Sequence, residues 1–342
     1  MNSLLLNFLL LRHLAAFLVL FAHSFVISGQ LPTALLAAFP ALAGVAVLGV
    51  TLFFIISGYL VTQSWVQQPD ALAFVRKRFL RIYPGYAVCL LFAVGVGAAL
   101  TELPALAYWG GGVVQYLARN LALQNHLFLP GVFEANPVKS AVNGSLWTIP
   151  VEVTCYAGVL LLGRLGVVRR PAVALVALAG ALAAAIVWGE QANLFGATVV
   201  AAAMPHYYAA FVCGAACYHL RAWLAWSLPL ASAVLLASWW VPNALGGLYI
   251  GIAALSYFVI CLARWMGERW PERRGAMDLS YGIYLYAFPI QQSLAYLFPA
   301  DSGWHLLFKT LPLCLGCACL SWYGVERPAL RLKPGAHIPH PN

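Results

Sequence analysis

Acidic side chains are scarce in this sequence. Ten Asp and Glu are spread over 342 residues, and charged residues of both signs make up 8% of the chain. A soluble globular chain carries about 25%, so this one has too little charge to cover its own surface in water. That excludes a free-standing soluble enzyme or binding module. Period-two alternation of apolar and polar residues is missing too. With it goes the membrane β-barrel, whose strands need about ten alternating residues each. Linkers, low-complexity tracts and internal repeats are not found. Residues 1–334 therefore read as one polytopic membrane domain, and the Pro- and His-rich tail 335–342 as a disordered end. No Lys or Arg precedes the first apolar run, Arg12 interrupts it, and no small-x-small site follows His23. A cleaved secretory signal is not expected, and the run reads as a retained first span.

What the chain has in quantity is hydrophobic residues, 63% of the total. A spanning helix needs roughly 20 of them in succession, because the hydrocarbon layer is about 30 Å thick and each residue rises about 1.5 Å. Such stretches occupy 4–28, 39–63, 82–101, 146–163, 172–189, 199–220, 226–241, 245–262, 280–298 and 305–324, the pair 226–262 being divided at Pro242-Asn243. The expected fold is an all-α integral membrane protein of about ten transmembrane helices. Basic residues set its orientation. With the N-terminus in the cytoplasm, 16 of the 19 basic residues fall on the inner side, all but Arg119, Lys139 and Lys309. Both termini are therefore expected in the cytoplasm. Basic inner loops beside anionic lipid also account for the net charge of +9, with no nucleic-acid partner. The eight cysteines lie almost wholly inside spans. Even the run Cys314, Cys317, Cys319 reads as small apolar residues, since no His or carboxylate neighbours it, and no metal is expected. Two connections stand apart. The outer loop 102–145 is far longer than a bundle needs and is expected to lie in the interface or dip back into the protein. The inner segment 264–278 reads as an ordinary positive-inside loop.

Ionisable groups inside spans are costly, which makes each a functional candidate. Three stand out: Arg12, His23 and Glu152. Arg12 and His23 are eleven residues apart on one helix. That is about 16 Å of rise and three turns, so both share a face. Glu152 enters from the outer end of its span at a depth comparable to His23, where a carboxylate can orient an imidazole base and stabilise its charged form. At the inner face the run Arg76-Lys77-Arg78-Phe79-Leu80-Arg81 opens the third span. Arg78 and Arg81 share a helical face, and Arg binds phosphate in bidentate fashion. Lipid headgroups and a soluble polyphosphate are both partners for this group. A phosphate site at one end and a base some 16 Å further in suit a long, thin donor bridging them.

With these residues placed, the sequence resembles the acyltransferase family 3 membrane proteins. Arg12 through His23 match the Arg-x10-His motif of the first span. Phe53 to Leu60, containing Ser57-Gly58-Tyr59, match the second. Arg78, Arg81, Ile82 and Pro84 match the basic motif, and Ser145, Leu146, Trp147, Glu152 and Tyr156 the next. Ser280 to Leu285 and Glu326-Arg327-Pro328 follow in order. The resemblance implies a ten-span core and transfer of an acyl group, most often acetyl, to a hydroxyl of a carbohydrate such as an O-antigen or exopolysaccharide. It implies acetyl-CoA as co-substrate, a catalytic His23 supported by Glu152, and Arg12, Arg76, Arg78 and Arg81 as anchors for the coenzyme. Ser145, Trp147 and Tyr156 are the expected substrate contacts, and a bacterial inner membrane the expected setting. Many members have a second acidic residue or Gln where this chain has Val153-Thr154. Some add an extracytoplasmic esterase-like domain after the membrane core; none is present within these 342 residues, so a second transfer step is expected to use the core or a partner. From residue types alone a rival stays open. Buried Arg, His and Glu also suit a proton-coupled transporter or flippase, although matching broken halves are not visible.

Overall fold

The computed structural model describes residues 7–31, 33, 37, 44–176, 179–180, 204–242, 247–271 and 276–333. Among the described residues the regular elements are helical, and the β contact is a lone bridge between Phe128 and Ala141. The main helices are α1 (Leu9–Ile27), α2 (Val45–Gln67), α3 (Ala71–Leu100), α4 (Gly111–Leu121), α5 (Thr148–Arg164), α6 (Met204–Leu220), α7 (Leu228–Ser238), α8 (Gly247–Arg269), α9 (Ser280–Leu297) and α10 (Gly303–Ser321). Among the described residues six stretches are long and apolar enough to cross a membrane: α1, α2, α3, Gly144–Arg164, α8 and Gly303–Arg331. The protein is thus an all-α integral membrane protein.

Several helix ends differ from the hydropathy reading, and local chemistry explains the differences. α3 starts at Ala71, well before residue 82, because Asp70 caps it: the Ala73 N–H donates to Asp70 Oδ1 at 2.5 Å. The basic run 76–81 consequently lies inside the helix. α10 starts on the Ser302 cap and continues through a π turn, Trp322–Glu326, into a last turn, Arg327–Arg331. The expected span 226–241 shrinks to α7, eleven residues long. At about 16 Å it reaches only about half the hydrocarbon thickness. The span 172–189 lies largely outside the described residues, as do residues 199–203, Asn243, Glu272 to Arg274 and the tail from 334.

The chain divides into two compact units: Met1–Ala15, Val50–Phe74 and Val151–Ala276, and Ala16–Gly49, Val75–Pro150 and Met277–Asn342. Lipid gives helices no hydrophobic reason to associate, so close backbone approach has to hold them. In the first unit α2 and α6 meet through paired glycines. A Cβ on Gly58 would lie 2.0 Å from the Phe211 carbonyl oxygen, and one on Gly214 2.1 Å from that of Ile55. Gly163 of α5 leaves room for the Trp65 ring in the same way. Asn7 ties the start of α1 to α8, its N–H donating to the Ala263 carbonyl at 2.9 Å and its amide to that of Trp270 at 2.7 Å.

The second unit is built around α9, of whose 18 residues 14 are buried, so its polar groups must be answered by protein. Gly282 admits α10, since a Cβ there would stand 2.9 Å from Ala318. The thiols of Cys89 and Cys314 donate to the Leu285 and Ile283 carbonyls at 3.3 and 3.4 Å. The long loop is a folded segment. After a single turn, Ala105–Tyr108, and α4, it returns to α9 at Gln292, which donates to the carbonyls of Val138 (2.7 Å) and Ala141 (2.6 Å) and accepts from the Asn136 amide at 2.8 Å.

Candidate functional site

The surroundings of His23 begin with a proline. Pro289 sits inside α9 and has no N–H to give to the Leu285 carbonyl one turn back. Asn143 supplies a donor alongside the Cys89 thiol, its Nδ2 reaching that carbonyl at 2.9 Å. The same side chain caps the next segment, as Oδ1 accepts from the Ser145 N–H at 3.1 Å. The turn Gly144–Trp147 is thereby fixed against α9, and Tyr284 tightens it by donating to the Ser145 carbonyl at 2.9 Å. Glycine is needed in between: a Cβ on Gly144 would stand 2.6 Å from the Phe288 ring. Phe288 in turn meets the His23 imidazole edge to face, with centroids 5.3 Å apart.

Gln291 lies three residues after Phe288, on the same face of α9. It is fully buried, and its amide donates to the Leu20 carbonyl and to Ser24 Oγ, both at 2.8 Å. These two bonds flank His23 on α1 and fix its height against α9. A carbonyl only accepts, so the Gln291 amide cannot flip, and Oε1 is presented as an acceptor. Among the buried polar atoms of this unit with no hydrogen-bond partner among the described residues are His23 Nδ1, Ser145 Oγ and Gln291 Oε1. Each unsatisfied buried group costs about 1–3 kcal/mol. A hydroxyl-bearing ligand offers the donors and acceptors that relieve them.

Glu152 belongs to the first unit. Ser57 Oγ donates to its Oε1 at 3.1 Å, the Tyr156 hydroxyl donates to the same oxygen, and the Ser57 and Tyr156 oxygens are 3.1 Å apart. The carboxylate thus sits at one corner of a closed triangle spanning α2 and α5. The two donors hold the direction of the carboxylate. Tyr156 is buried, and its hydroxyl acts on the carboxylate.

The basic group of α3 forms a third constellation, in the second unit. Arg81 pairs with Asp278 at 3.0 Å, with only 14% and 11% of the two side chains exposed. Its guanidinium lies 5.4 Å over the Tyr281 ring, and Tyr281 donates to the Ile82 carbonyl at 2.9 Å. Asp278 also accepts from the Ser280 hydroxyl at 2.5 Å and its N–H at 3.2 Å, at the entrance of α9. Glu326, buried by the π turn, accepts from Ser321 at 2.8 Å. Both Tyr281 and Glu326 fill the space that a side chain at Gly85 would need. Lys77 and Arg78 are half-buried, whereas Arg76 is exposed, two residues from Arg78 and so on another face. Beyond the last turn, Lys333 comes within electrostatic reach of Lys77, Arg78 and Arg81. Arg12 is half-buried on α1, and Trp147 is half-buried at the end of its turn.

The structure therefore brings Arg78 and Arg81 together, ties Ser145 to the wall beside His23, and joins Glu152 to Tyr156. Ser57 was legible only as part of a motif. Asp278 and Lys333 passed as ordinary loop charges. Gln291 was missed, because a search for ionisable residues passes over a neutral amide; a polar Gln291-Gln292 pair in an otherwise apolar helix was the available signal.

Compared with known proteins, residues 6–325 match the family model described as an acyltransferase domain. A protein of Shigella phage Sf6 called O-acetyl transferase is 27% identical over 296 residues, covering 82% of this chain and 83% of its own. Nodulation protein 10 of Rhizobium leguminosarum bv. viciae is 28% identical over 374 residues, covering 96% and 94%. No solved structure matches the chain.

Proposed function

We propose, on the premise that this chain belongs to the acyltransferase family, that it moves an acetyl group from cytoplasmic acetyl-CoA to a carbohydrate hydroxyl at or across a bacterial inner membrane. The family match over residues 6–325 carries this reading, and the relative named O-acetyl transferase supports the acyl group and oxygen acceptor. The proposed topology has ten spans with both termini in the cytoplasm, which puts the α3 basic group on the side of the donor. Arg78 and Arg81 take the coenzyme phosphates, with Arg76 and Arg12 as further contacts. A coenzyme held at that end extends its pantetheine arm along the bundle and brings the thioester to the depth of His23.

His23 is the proposed general base. Its ring is held by Phe288, and its buried Nδ1 has no partner among the described residues. It takes the proton of the acceptor hydroxyl as the oxygen attacks the thioester carbon, and the coenzyme leaves as thiolate. Ser145 and Trp147 are the proposed acceptor contacts, an O-antigen or exopolysaccharide being the class of glycan intended. Glu152, with Tyr156, is the proposed second catalytic group, a carboxylate that two hydroxyl donors orient. No metal enters this scheme. The test is to incubate membranes containing the protein with acetyl-labelled acetyl-CoA. Label in the glycan fraction that disappears with Arg78→Ala plus Arg81→Ala supports the reading. A wild type that forms no acylated glycan, yet moves a solute across vesicles, favours the transporter.

A further inference from the structure

α9 carries two neighbouring buried glutamines, and their amides are bonded differently. Gln292 is answered at both ends. Its Nε2 donates to the carbonyls of Val138 and Ala141, and its Oε1 accepts from the Asn136 amide at 2.8 Å. That is the bonding of a structural tie. Gln291 is answered at one end only: Nε2 donates to the Leu20 carbonyl and to Ser24 Oγ, while the buried Oε1 has no partner among the described residues. Turning the amide over brings no relief. Ser24 gives its own proton to the Leu20 carbonyl at 3.0 Å, so both groups facing Nε2 can only accept. α1 therefore fixes Oε1 as an acceptor directed away from Leu20 and Ser24.

The turn beside Phe288 shows the same pattern. Ser145 gives its N–H to Asn143 at 3.1 Å, and its carbonyl accepts from Tyr284 at 2.9 Å and Thr148 at 3.3 Å. Its buried Oγ is left without a partner among the described residues. Phe288 touches the His23 ring and fills the space beside Gly144, and Gln291 stands one turn further along α9 on the same face. Buried polar atoms in native proteins are nearly all hydrogen-bonded. Buried, unanswered atoms on His23, Ser145 and Gln291, gathered about one phenyl ring, mark a place for a polar ligand.

We infer that Gln291 is a specificity-determining residue whose Oε1 accepts from the hydroxyl next to the one that is acylated, so that the acceptor is a vicinal diol of a sugar ring. The inference rests on the acyl-transfer reading above and adds the kind of hydroxyl acceptor to it. The reacting hydroxyl gives its proton to His23, and its neighbour donates to Gln291. The Gln291 amide itself ties α9 to α1 on either side of His23, which keeps the two contacts at a fixed spacing. Only a donor is recognised here. An ether oxygen at the neighbouring position meets Oε1 as a second acceptor and leaves it buried and unpaired, and sites built on such a bond reject the analogue that lacks the donor. A sugar already substituted at that position is excluded, so the reaction that substitutes it has to follow acyl transfer.

The experiment follows labelled acetyl transfer from acetyl-CoA to the membrane glycan fraction by the full chain in membranes. Three small alcohols compete: the trans vicinal diol of cyclohexane, its mono-methyl ether, and cyclohexanol. In the wild type the diol is expected to compete at a concentration at least about tenfold below that of either other alcohol, although it is the most polar of the three. Gln291→Leu is expected to bring the three alcohols to similar concentrations. Ser24→Ala, which keeps Oε1 and the bond to Leu20, is expected to retain the preference for the diol. Equal competition, or none, by the diol and its methyl ether in a wild type that acetylates glycan overturns the assignment and leaves the acyl-transfer reading standing. That comparison decides alone if Gln291→Leu does not fold. A diol preference that survives in Gln291→Leu overturns the assignment too. Loss of the preference in Ser24→Ala to the same degree as in Gln291→Leu would trace it to the tie between the helices and overturn the role of Oε1. A wild type that forms no acetylated glycan overturns the acyl-transfer reading and this inference with it.

Discussion

Gln291 shows how a neutral residue can do as much for a buried site as the ionisable ones around it. Its two donors are spent on either side of His23, and its acceptor is left facing a place where no described group donates. Gln291→Leu removes the link between α9 and α1 and the acceptor together. It is expected to lower acyl transfer by roughly 10–100-fold while acetyl-CoA binding, proposed at the α3 basic group, is unchanged; a radiolabel transfer assay beside a binding titration checks this. Losing one bond to a charged partner costs about 1.5–3 kcal/mol, so Ser57→Ala is expected to slow transfer by about tenfold or more. The ionisable residues Arg12, His23 and Glu152 were legible from the sequence because charge in an apolar run has a cost that must be justified. Gln291 and Ser57 have no such signature. Their importance depends on which carbonyl or carboxylate they meet, and only the fold decides that.

At the scale of elements, the segment Asn143 to Trp147 and the proline of α9 are one device. Pro289 opens a carbonyl, Asn143 closes it, and the turn so fixed leaves Ser145 beside the wall that holds His23. Asn143→Ala leaves the Leu285 carbonyl with the weaker Cys89 thiol donor and takes the acceptor from the Ser145 N–H; it is expected to destabilise by about 1–3 kcal/mol, seen as a lower unfolding temperature in detergent. Gly144→Ala pushes a methyl into the Phe288 ring and is expected to cost more in transfer rate than in stability. Helices were legible as elements because roughly 20 apolar residues in succession leave the chain no other way to satisfy its backbone in lipid. Their ends were less so. Asp70 starts α3 ahead of its apolar part, and the π turn carries α10 past its hydropathy limit, both through side-chain and backbone bonds that hydropathy does not register. The helix α7 is trimmed at both ends: it starts at the Ser227 cap, at Leu228, and ends at Ser238 ahead of the Trp239 cap, inside an apolar stretch that reads as longer.

For the whole molecule, the distribution of basic residues is the strongest guide to orientation, and the topology proposed from it has the α3 group on the cytoplasmic side, the side proposed for the donor. Reporter fusions check this. A periplasm-dependent reporter is expected to be inactive after Asn342 and active when inserted in the loop around Pro104, and the opposite pattern would reverse the donor side. The central claim, however, is that this membrane core performs acyl transfer through His23. The most direct test compares wild type with His23→Ala for acetyl transfer from acetyl-CoA to the membrane glycan fraction, each normalised to its own acetyl-CoA binding. General-base catalysis is worth about 10²–10⁴-fold, so the variant is expected to bind the donor as the wild type does and to lose transfer by at least about a hundredfold. Transfer by His23→Ala within a few-fold of wild type would contradict the account.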